Sequence, residues 1–232
     1  MLWFRAPEKV YFKKGCMPVA LDELGTVMGK KKAFIVTDSF LYHNGYVKGI
    51  EEKLDEMGIQ HTCFYEVAPD PTLACALEGV AQLRAFEPDT IIAIGGGSSM
   101  DTAKAIGIII NNPEFADVIS LEGVAPTKQP SIPIIAVPTT AGTAAEVTIN
   151  YVITDTSKNR KMVCVDPHDI PVVAVVDPDM MSSMPKGLTA ATGMDALTHA
   201  IEGYITAGAW ELSDMFHIKA IEIIAKSLRG AV

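Results

Sequence analysis

Short apolar runs rich in β-branched residues alternate along the chain with longer stretches whose apolar positions recur with a helical period. Such runs are typical of buried strands, and the longer stretches of helices. The pattern predicts strands at 33–37, 61–67, 90–94, 132–138 and 172–176, and helices at 46–57, 73–86 and about 100–110. Two further runs, 151–154 and 161–165, predict a small hairpin-like element.

This alternation indicates an α/β fold, a Rossmann-like parallel sheet with helices on both faces. Parallel strands need long crossover connections, which the predicted helices supply. The apolar runs lack a regular alternation of polar and apolar positions, as expected when helices cover both faces of a sheet.

The pattern changes after Pro185, where two helical stretches, 188–205 and 213–228, follow each other without a strand signal. We therefore predict an α/β domain over residues 1–184 and a helical unit over 185–232. Two or three helices are too few to enclose a core of their own. The second unit is expected to be the first helices of an incomplete all-α domain, packed on the first domain or without partners.

Composition and charge narrow the function classes. The 232 residues carry 19 basic and 28 acidic side chains, a net charge of −9, which argues against a nucleic-acid binder. The longest apolar runs are too short to span a bilayer, and the acid and proline near the start do not fit a signal peptide. Four scattered cysteines without a C-x-x-C pair are expected to be reduced thiols. The expectation is a soluble cytoplasmic protein.

A glycine-rich turn, Gly95-Gly96-Gly97-Ser98, follows a predicted buried strand and opens a helix. Glycines let the backbone approach a phosphate closely, and a helix N-terminus offers free N–H groups to an anion. Ser98 is either the helix N-cap or a phosphate ligand. The alternative to a phosphate site is a tight strand-to-helix turn. The glycine-rich turn lies at the carboxyl end of a parallel strand, where ligands bind in open α/β sheets, and this favours the phosphate site.

Two other strand ends carry polar side chains. Asp38 suits a bidentate contact with a ribose diol and would repel a 2′-phosphate, which favours NAD over NADP; its alternative role is a helix N-cap or turn former. The segment Thr139-Thr140-Ala141-Gly142-Thr143 gathers three hydroxyls and a glycine that could line a cofactor groove. The alternative is a hydroxyl-rich turn that satisfies its own backbone.

Asp195 and His199 lie four residues apart in a predicted helix, hence on one face, where they could bind one divalent metal. A helix cap with a surface histidine is the default interpretation of such a pair. The small and apolar neighbours instead predict a buried face, where both groups would need a partner such as a metal. His43, His61 and His217 show no ligand spacing and are interpreted as structural or surface residues, and His168, in a polar turn, is expected to be solvated.

Three motifs together resemble the iron-containing (group III) alcohol dehydrogenase family: G-G-G-S-x-x-D-x-x-K over 95–104, P-T-T-x-G-T-x-x-E-V-T over 138–148, and G-x-D-A-L-T-H-A-I-E over 193–202. Residues 107–232 are most similar to its lactaldehyde reductase branch. The first hundred are more similar to the alcohol dehydrogenase half of bifunctional aldehyde–alcohol dehydrogenases. Dehydroquinate-synthase-type cyclases share the fold, but the third motif matches the alcohol dehydrogenases better.

The resemblance implies an NAD-binding domain over 1–184 and a truncated start of a helical metal-binding domain over 185–232. It implies that Asp101 orders the glycine turn. Asp195 and His199 match the first two ligands of Fe(II) or Zn(II); two further histidine ligands of the family have no counterpart before Val232. The residues implied to line the NAD site are Asp38, Asp70, Gly96, Gly97, Ser98, Thr139, Thr140, Thr143 and Lys161, of which Asp70 departs from a frequent Asn.

Two functional hypotheses follow from the resemblance. The first is NAD-dependent, metal-assisted hydride transfer between a small alcohol or diol, of the 1,2-propanediol/lactaldehyde type, and its aldehyde. The second is a non-catalytic NAD-binding module with an incomplete metal site. In either case we expect a small-molecule partner, no nucleic acid or membrane partner, and a homo-oligomer, since exposed apolar helix faces favour association.

Overall fold

The computed structural model describes residues 3–232; Met1 and Leu2, which begin the segment similar to bifunctional aldehyde–alcohol dehydrogenases, are outside the described residues. The described chain contains nine strands: β1 (Lys9–Phe12), β2 (Lys32–Val36), β3 (Gln60–Phe64), β4 (Thr90–Gly95), β5 (Gly123–Val124), β6 (Ile134–Pro138), β7 (Asn150–Asp155), β8 (Arg160–Val165) and β9 (Val173–Val176). Its α-helices are α1 (Met17–Thr26), α2 (Ser39–His43), α3 (Lys48–Glu56), α4 (Leu73–Phe86), α5 (Gly97–Asn111), α6 (Lys186–Ile205) and α7 (Glu211–Ala231).

Six strands form one sheet in the order β1-β9-β6-β4-β2-β3. Every neighbouring pair in this sheet is parallel, which confirms the predicted Rossmann-like arrangement. Because the strands share one direction, the carboxyl ends of β2, β4 and β6 lie at the same edge of the sheet. Open α/β sheets bind their ligands at this edge.

Helices cover both faces of the sheet, as the unbroken apolar runs predicted. Successive side chains of a strand point to opposite faces. In β2, Phe34 and Val36 enter the core under α4 and α5, whereas Ala33 and Ile35 enter the core under α1 and α3. Burial on both sides explains why β2, β4 and β6 lack polar alternation.

A second, three-stranded sheet has the order β5-β8-β7. Strands β7 and β8 are antiparallel, with Asp155 opposite Arg160, which confirms the predicted hairpin. Tyr151 and Ile153 of β7 are buried in the same core as α5. The small sheet is therefore attached to the helix that follows the glycine-rich turn.

The sequence pattern predicted neither β1 nor α1. Strand β1 has only four residues and lies at the edge of the sheet, where Val10 and Phe12 are exposed, so its apolar run is shorter than those of the buried strands. Helix α1 has a proline in its first turn, where a missing N–H costs no hydrogen bond. Helix α5 begins at Gly97, three residues before the predicted start.

Helices α6 and α7 pack against each other in opposite directions. Gly193 in the first half of α6 faces Leu228 near the end of α7, and Gly203 near the end of α6 faces the His217 ring. Ala200 is the one buried residue of α6, and α7 has none among the described residues.

Over residues 3–232, no helix combines the length and hydropathy needed to cross a bilayer. The division into domains at residue 184 stays a prediction.

Candidate active site

The glycine-rich turn connects β4 to α5 at the carboxyl edge of the sheet. Gly95 has a φ of +146°, a conformation that side-chain-bearing residues rarely adopt, and a Cβ there would collide with the Ser99 side chain. Gly96, rather than Ser98, is the N-cap of α5, and it provides no side-chain hydrogen bond to the first turn. The N–H groups of that turn therefore remain available to an anion.

The threonine-rich segment packs directly against this turn. The Thr139 amide donates to the Gly95 carbonyl over 2.9 Å. A Cβ on Gly96 would lie 3.3 Å from Thr140 Oγ1, and one on Gly97 would lie 3.2 Å from Thr143 Cγ2. A side chain at either glycine would therefore crowd the threonine-rich segment, and the two segments together form one surface at the strand ends.

Two cavities meet at this surface, and Gly97, Ser98 and Thr143 line both. The first, of about 540 Å³, extends from the turn toward Asp38 at the end of β2. The second, of about 670 Å³, extends toward Asp195 and His199 on α6. The structure therefore brings the separate sequence motifs into one continuous groove.

Asp38 lies at the outer end of the first cavity as the N-cap of α2. Its Oδ1 accepts a hydrogen bond from the Leu41 amide over 2.9 Å. The alternative role given by the sequence, helix capping, is thus present in the structure. Contact with a ribose stays a prediction; the cavity next to Asp38 leaves room for it.

Asp70 and Lys161, which the resemblance placed in the NAD site, form an ion pair in the lining of the second cavity. Lys161 Nζ lies 2.6 Å from Asp70 Oδ1, and both side chains are more than half exposed. Asp70 has a positive φ of 54°, which an aspartate tolerates better than most residues. The sequence did not predict this pair, since its members are 91 positions apart.

Helix α6 carries Asp195 and His199 to the second cavity. Thr192, one turn earlier, abuts the threonine-rich segment, where a Cβ on Gly142 would lie 2.6 Å from the Thr192 carbonyl oxygen. Asp195 Oδ2 and His199 Nδ1 are 3.7 Å apart on one helical face, as the spacing predicted. The carboxylate and imidazole are therefore suited to hold one ion between them.

The expected burial of this pair is wrong. The Asp195 side chain is 44% exposed and that of His199 is 56% exposed. Small and apolar neighbours predicted a buried face, but Ala200 is the one residue of α6 that is buried. Over residues 3–232, no group of three or more His, Cys, Asp or Glu side chains could hold a metal ion.

Asp101 does not order the glycine turn through its carboxylate. Its Oδ2 instead accepts a hydrogen bond from the Val152 amide of β7 over 3.0 Å. Burial raises the pKa of Asp101 to about 6, although the charge of Lys104 and this hydrogen bond oppose the shift. The sequence carries no signal for this contact, since the two residues are 51 positions apart.

Of the five histidines, only His199 is among the residues that line the two cavities. His61, in β3, places its Nε2 3.1 Å from Asp55 Oδ1. His168 Nδ1 lies 3.0 Å from the Thr127 hydroxyl, near the amino ends of the strands. His217 packs its ring against Gly203, which makes it a helix-packing residue.

Comparison with known proteins agrees with the geometry. Residues 7–178 match the family described as iron-containing alcohol dehydrogenase, and residues 189–232 match the C-terminal part of the Fe-containing alcohol dehydrogenase family. Lactaldehyde reductase of Escherichia coli K12 is 59% identical over 225 residues, which cover 97% of this chain and 59% of that protein. The bifunctional aldehyde-alcohol dehydrogenase AdhE of the same strain is 39% identical over 98% of this chain and 26% of its own length.

A solved structure has the same fold. Sulfoacetaldehyde reductase from Bifidobacterium kashiwanohense, in complex with NAD+, superimposes with a TM-score of 0.92 at 32% identity, over 100% of this chain and 61% of that one. The chain spans about three fifths of the length of lactaldehyde reductase. Over that span, the sequence matches and the shared fold show that the chain belongs to the iron-containing alcohol dehydrogenase family.

Proposed function

We propose that this chain supplies the NAD site and two metal ligands of an oxidoreductase that interconverts a small alcohol or diol and its aldehyde. One observation carries the proposal. The glycine-rich turn, the threonine-rich segment and the Asp195–His199 pair, which are far apart in sequence, line two adjoining cavities at the carboxyl edge of a parallel sheet. Ligands of open α/β sheets bind at that edge.

The residues of the first cavity fit a dinucleotide. The uncapped first turn of α5 offers N–H groups and the positive end of a helix dipole to a pyrophosphate. Asp38 would accept hydrogen bonds from a ribose diol and repel a 2′-phosphate, which favours NAD over NADP. The hydroxyls of Thr139, Thr140 and Thr143, with Lys161 and Asp70 beyond them, would line the rest of the groove.

The donor pair of the second cavity fits part of a metal site. A carboxylate and an imidazole, 3.7 Å apart on one face, suit Fe(II) or Zn(II). When bound, such an ion supplies Lewis-acid polarisation of an alcohol or aldehyde oxygen. Asp195 and His199 would hold it at the end of the groove, while the glycine and threonine segments orient the dinucleotide toward the same place.

The substrate class rests on similarity and charge. The sequence is most alike to a protein named lactaldehyde reductase among the relatives described above, which supports a small hydroxyaldehyde or diol. The net charge of −9 gives no support for a nucleic-acid partner.

All four cysteines are free thiols, which suits a reducing compartment such as the cytoplasm. Exposed apolar side chains on α6 and α7 support a homo-oligomer.

A second candidate function is a non-catalytic NAD-binding module. It is favoured by one observation, the lack of any group of three potential metal ligands within the described part of the chain. Affinity for a metal increases with the number of preorganised ligands, so two donors alone would bind it weakly.

The experiment that separates the two functions uses the chain loaded anaerobically with Fe(II), or with Zn(II), and then dialysed. We expect NADH binding by fluorescence, stoichiometric metal, and NADH oxidation with lactaldehyde or propionaldehyde. His199→Ala should lose metal and turnover but keep NADH binding, whereas the matched control His43→Ala should keep all three. NADH binding without metal or turnover in the unchanged chain would favour the module, and absence of NADH binding would contradict both functions.

A further inference from the structure

Lys104, in the middle of α5, is fully buried and is among the largest side chains that have no exposed surface. Lysine is almost never buried in this way unless its ammonium is paired, because loss of hydration disfavours the charge. Burial accordingly lowers the pKa of Lys104, while the charges of Asp169, Asp101 and Glu146 oppose that shift. The side chain therefore occupies a costly position, and its contacts should account for it.

The ammonium group donates to main-chain oxygens rather than to a carboxylate. Lys104 Nζ lies 2.8 Å from the Thr148 carbonyl oxygen and 2.8 Å from the Asn150 carbonyl oxygen. A third contact, of 3.3 Å, reaches the Thr148 hydroxyl. An ammonium has three N–H donors, and these three acceptors match them. Lys104 thus fastens one short stretch of backbone to α5.

That stretch is part of the groove. Thr143, Ala144, Ala145, Thr148 and Asn150 line the second cavity together with Asp195 and His199. Ala144 has a positive φ of 53°, so the backbone leaves Thr143 in a conformation that needs support from its surroundings. Helix α5 provides this support through two side chains. Lys104 donates to the carbonyls of residues 148 and 150, and Asp101 accepts a hydrogen bond from the Val152 amide.

The same helix also carries the anion-binding turn. Its first residue, Gly97, packs against Thr143, and Lys104 lies two turns further along. A single rigid element therefore holds both sides of the groove at a fixed separation. Loss of the ammonium would remove the donor that the Thr148 and Asn150 carbonyls share and release residues 144–150 from α5.

We propose that Lys104 is a positioning residue of the NAD groove, which acts without touching the cofactor by fixing the backbone of residues 144–150 against α5. The inference rests on the proposed NAD site. It assigns the lysine of the G-G-G-S-x-x-D-x-x-K motif to the architecture of the groove and not to phosphate binding.

The test replaces Lys104 with methionine, which keeps an unbranched apolar stem and removes the ammonium. Amide hydrogen exchange under native conditions and NADH affinity are measured together. We expect exchange at residues 144–152 to accelerate by about tenfold or more while the amides of β4 are unchanged, and NADH affinity to fall by about tenfold, since preorganisation of the groove is lost. Lys128→Met removes an exposed lysine of a distant loop and should change neither quantity.

Lys104→Gln is the second variant, and it tests the positioning role if Lys104→Met fails to fold. The amide of glutamine still offers N–H donors to the carbonyls but no charge, and it should show intermediate exchange and affinity. If either folded variant binds NADH within twofold of the unchanged chain, or accelerates exchange equally in β4, the positioning role is overturned. If the unchanged chain itself binds no NADH, the proposed function fails first, and the exchange data alone then decide whether Lys104 holds this segment.

Discussion

The six-stranded sheet and the α6–α7 helix pair differ sharply in how they are buried. The side chains of β4 and β6 are fully or almost fully buried between two helical layers, whereas α6 buries one residue and α7 none in the described chain. Burial of apolar surface is the dominant favourable term in folding. Most of the stability of the fold is therefore expected to come from the sheet, whose carboxyl edge carries the groove.

The two regions also differ in what a sequence reveals. In the sheet, apolar residues are buried, so the pattern predicted five of its six strands and their parallel arrangement, and missed only the edge strand β1. In α6 and α7, apolar residues such as Ile201, Met215 and Phe216 are exposed. The apolar residues near Asp195 were therefore no sign of burial, and the prediction of a buried Asp195–His199 pair failed for this reason.

The largest effect is expected from a matched pair of truncations, which tests whether the buried sheet contributes more to stability than the exposed helix pair. Ile92 in β4 is fully buried and Ile223 in α7 is 52% exposed. Ile92→Ala should lower the free energy of unfolding by about 2–5 kcal/mol, since it leaves a cavity, and Ile223→Ala by less than about 0.5 kcal/mol. Urea denaturation measures both. Equal losses would show that the helix pair contributes as much to stability as the sheet.

A glycine pair tests whether the groove depends on the sheet edge. Gly95→Ala places a Cβ at a φ of +146° and against Ser99, and should lower stability by about 1–3 kcal/mol and abolish measurable NADH binding. Gly187→Ala, in the first turn of α6 with no neighbour within 4 Å, should be neutral or slightly stabilising. Thermal denaturation and fluorescence titration would check both, and retained NADH affinity in Gly95→Ala would contradict the site.

Acid should weaken the sheet region more than the helix pair. Asp177 is buried at the end of β9 and accepts hydrogen bonds from the amides of Gly15, Met17 and Asp179. Burial alone would raise its pKa, but these hydrogen bonds outweigh burial and lower it. A lowered pKa stabilises the fold fully above the unfolded value of about 3.9, and the gain is lost as pH falls through the lower folded value.

Asp177→Asn should therefore lower the free energy of unfolding by about 1–3 kcal/mol at pH 7. Once the pH is below the folded pKa of Asp177, the substitution should change that free energy little. Asp195→Asn is the matched control, because its carboxylate is 44% exposed and should change stability by less than about 0.5 kcal/mol. Urea denaturation at several pH values provides the comparison. A cost of Asp177→Asn that stays constant down to the lowest pH would exclude the charge as its cause.

The smallest expected effect on stability concerns the ion pair at the groove. Asp70 and Lys161 are both more than half exposed, and such pairs contribute about 0–1 kcal/mol. Lys161→Met should therefore leave unfolding almost unchanged yet weaken NADH binding several-fold, if Lys161 lines the NAD site. Arg160→Met, at the start of the same strand, controls for loss of a nearby charge and should leave NADH affinity unchanged.

The sequence predicted what depends on local pattern and missed what depends on distant contacts. It placed α4 at its observed limits, Leu73–Phe86, and β4 within one residue, since both are bounded by clear apolar and turn signals. It could not predict that Lys104 reaches residues 44 and 46 positions away. Edge strand β1 was missed because it has only four residues, three of them exposed, and so gives a short apolar run without a buried strand's length.

The most direct test of the account is a hydrogen-exchange footprint of NADH on the unchanged chain. The account predicts slower exchange at residues 96–99 and 139–144, around the first turn of α5 and the threonine-rich segment, with no change at residues 167–172 on the opposite edge of the sheet. Protection confined to that opposite edge, or no protection at saturating NADH, would contradict the placement of the nucleotide at the carboxyl edge.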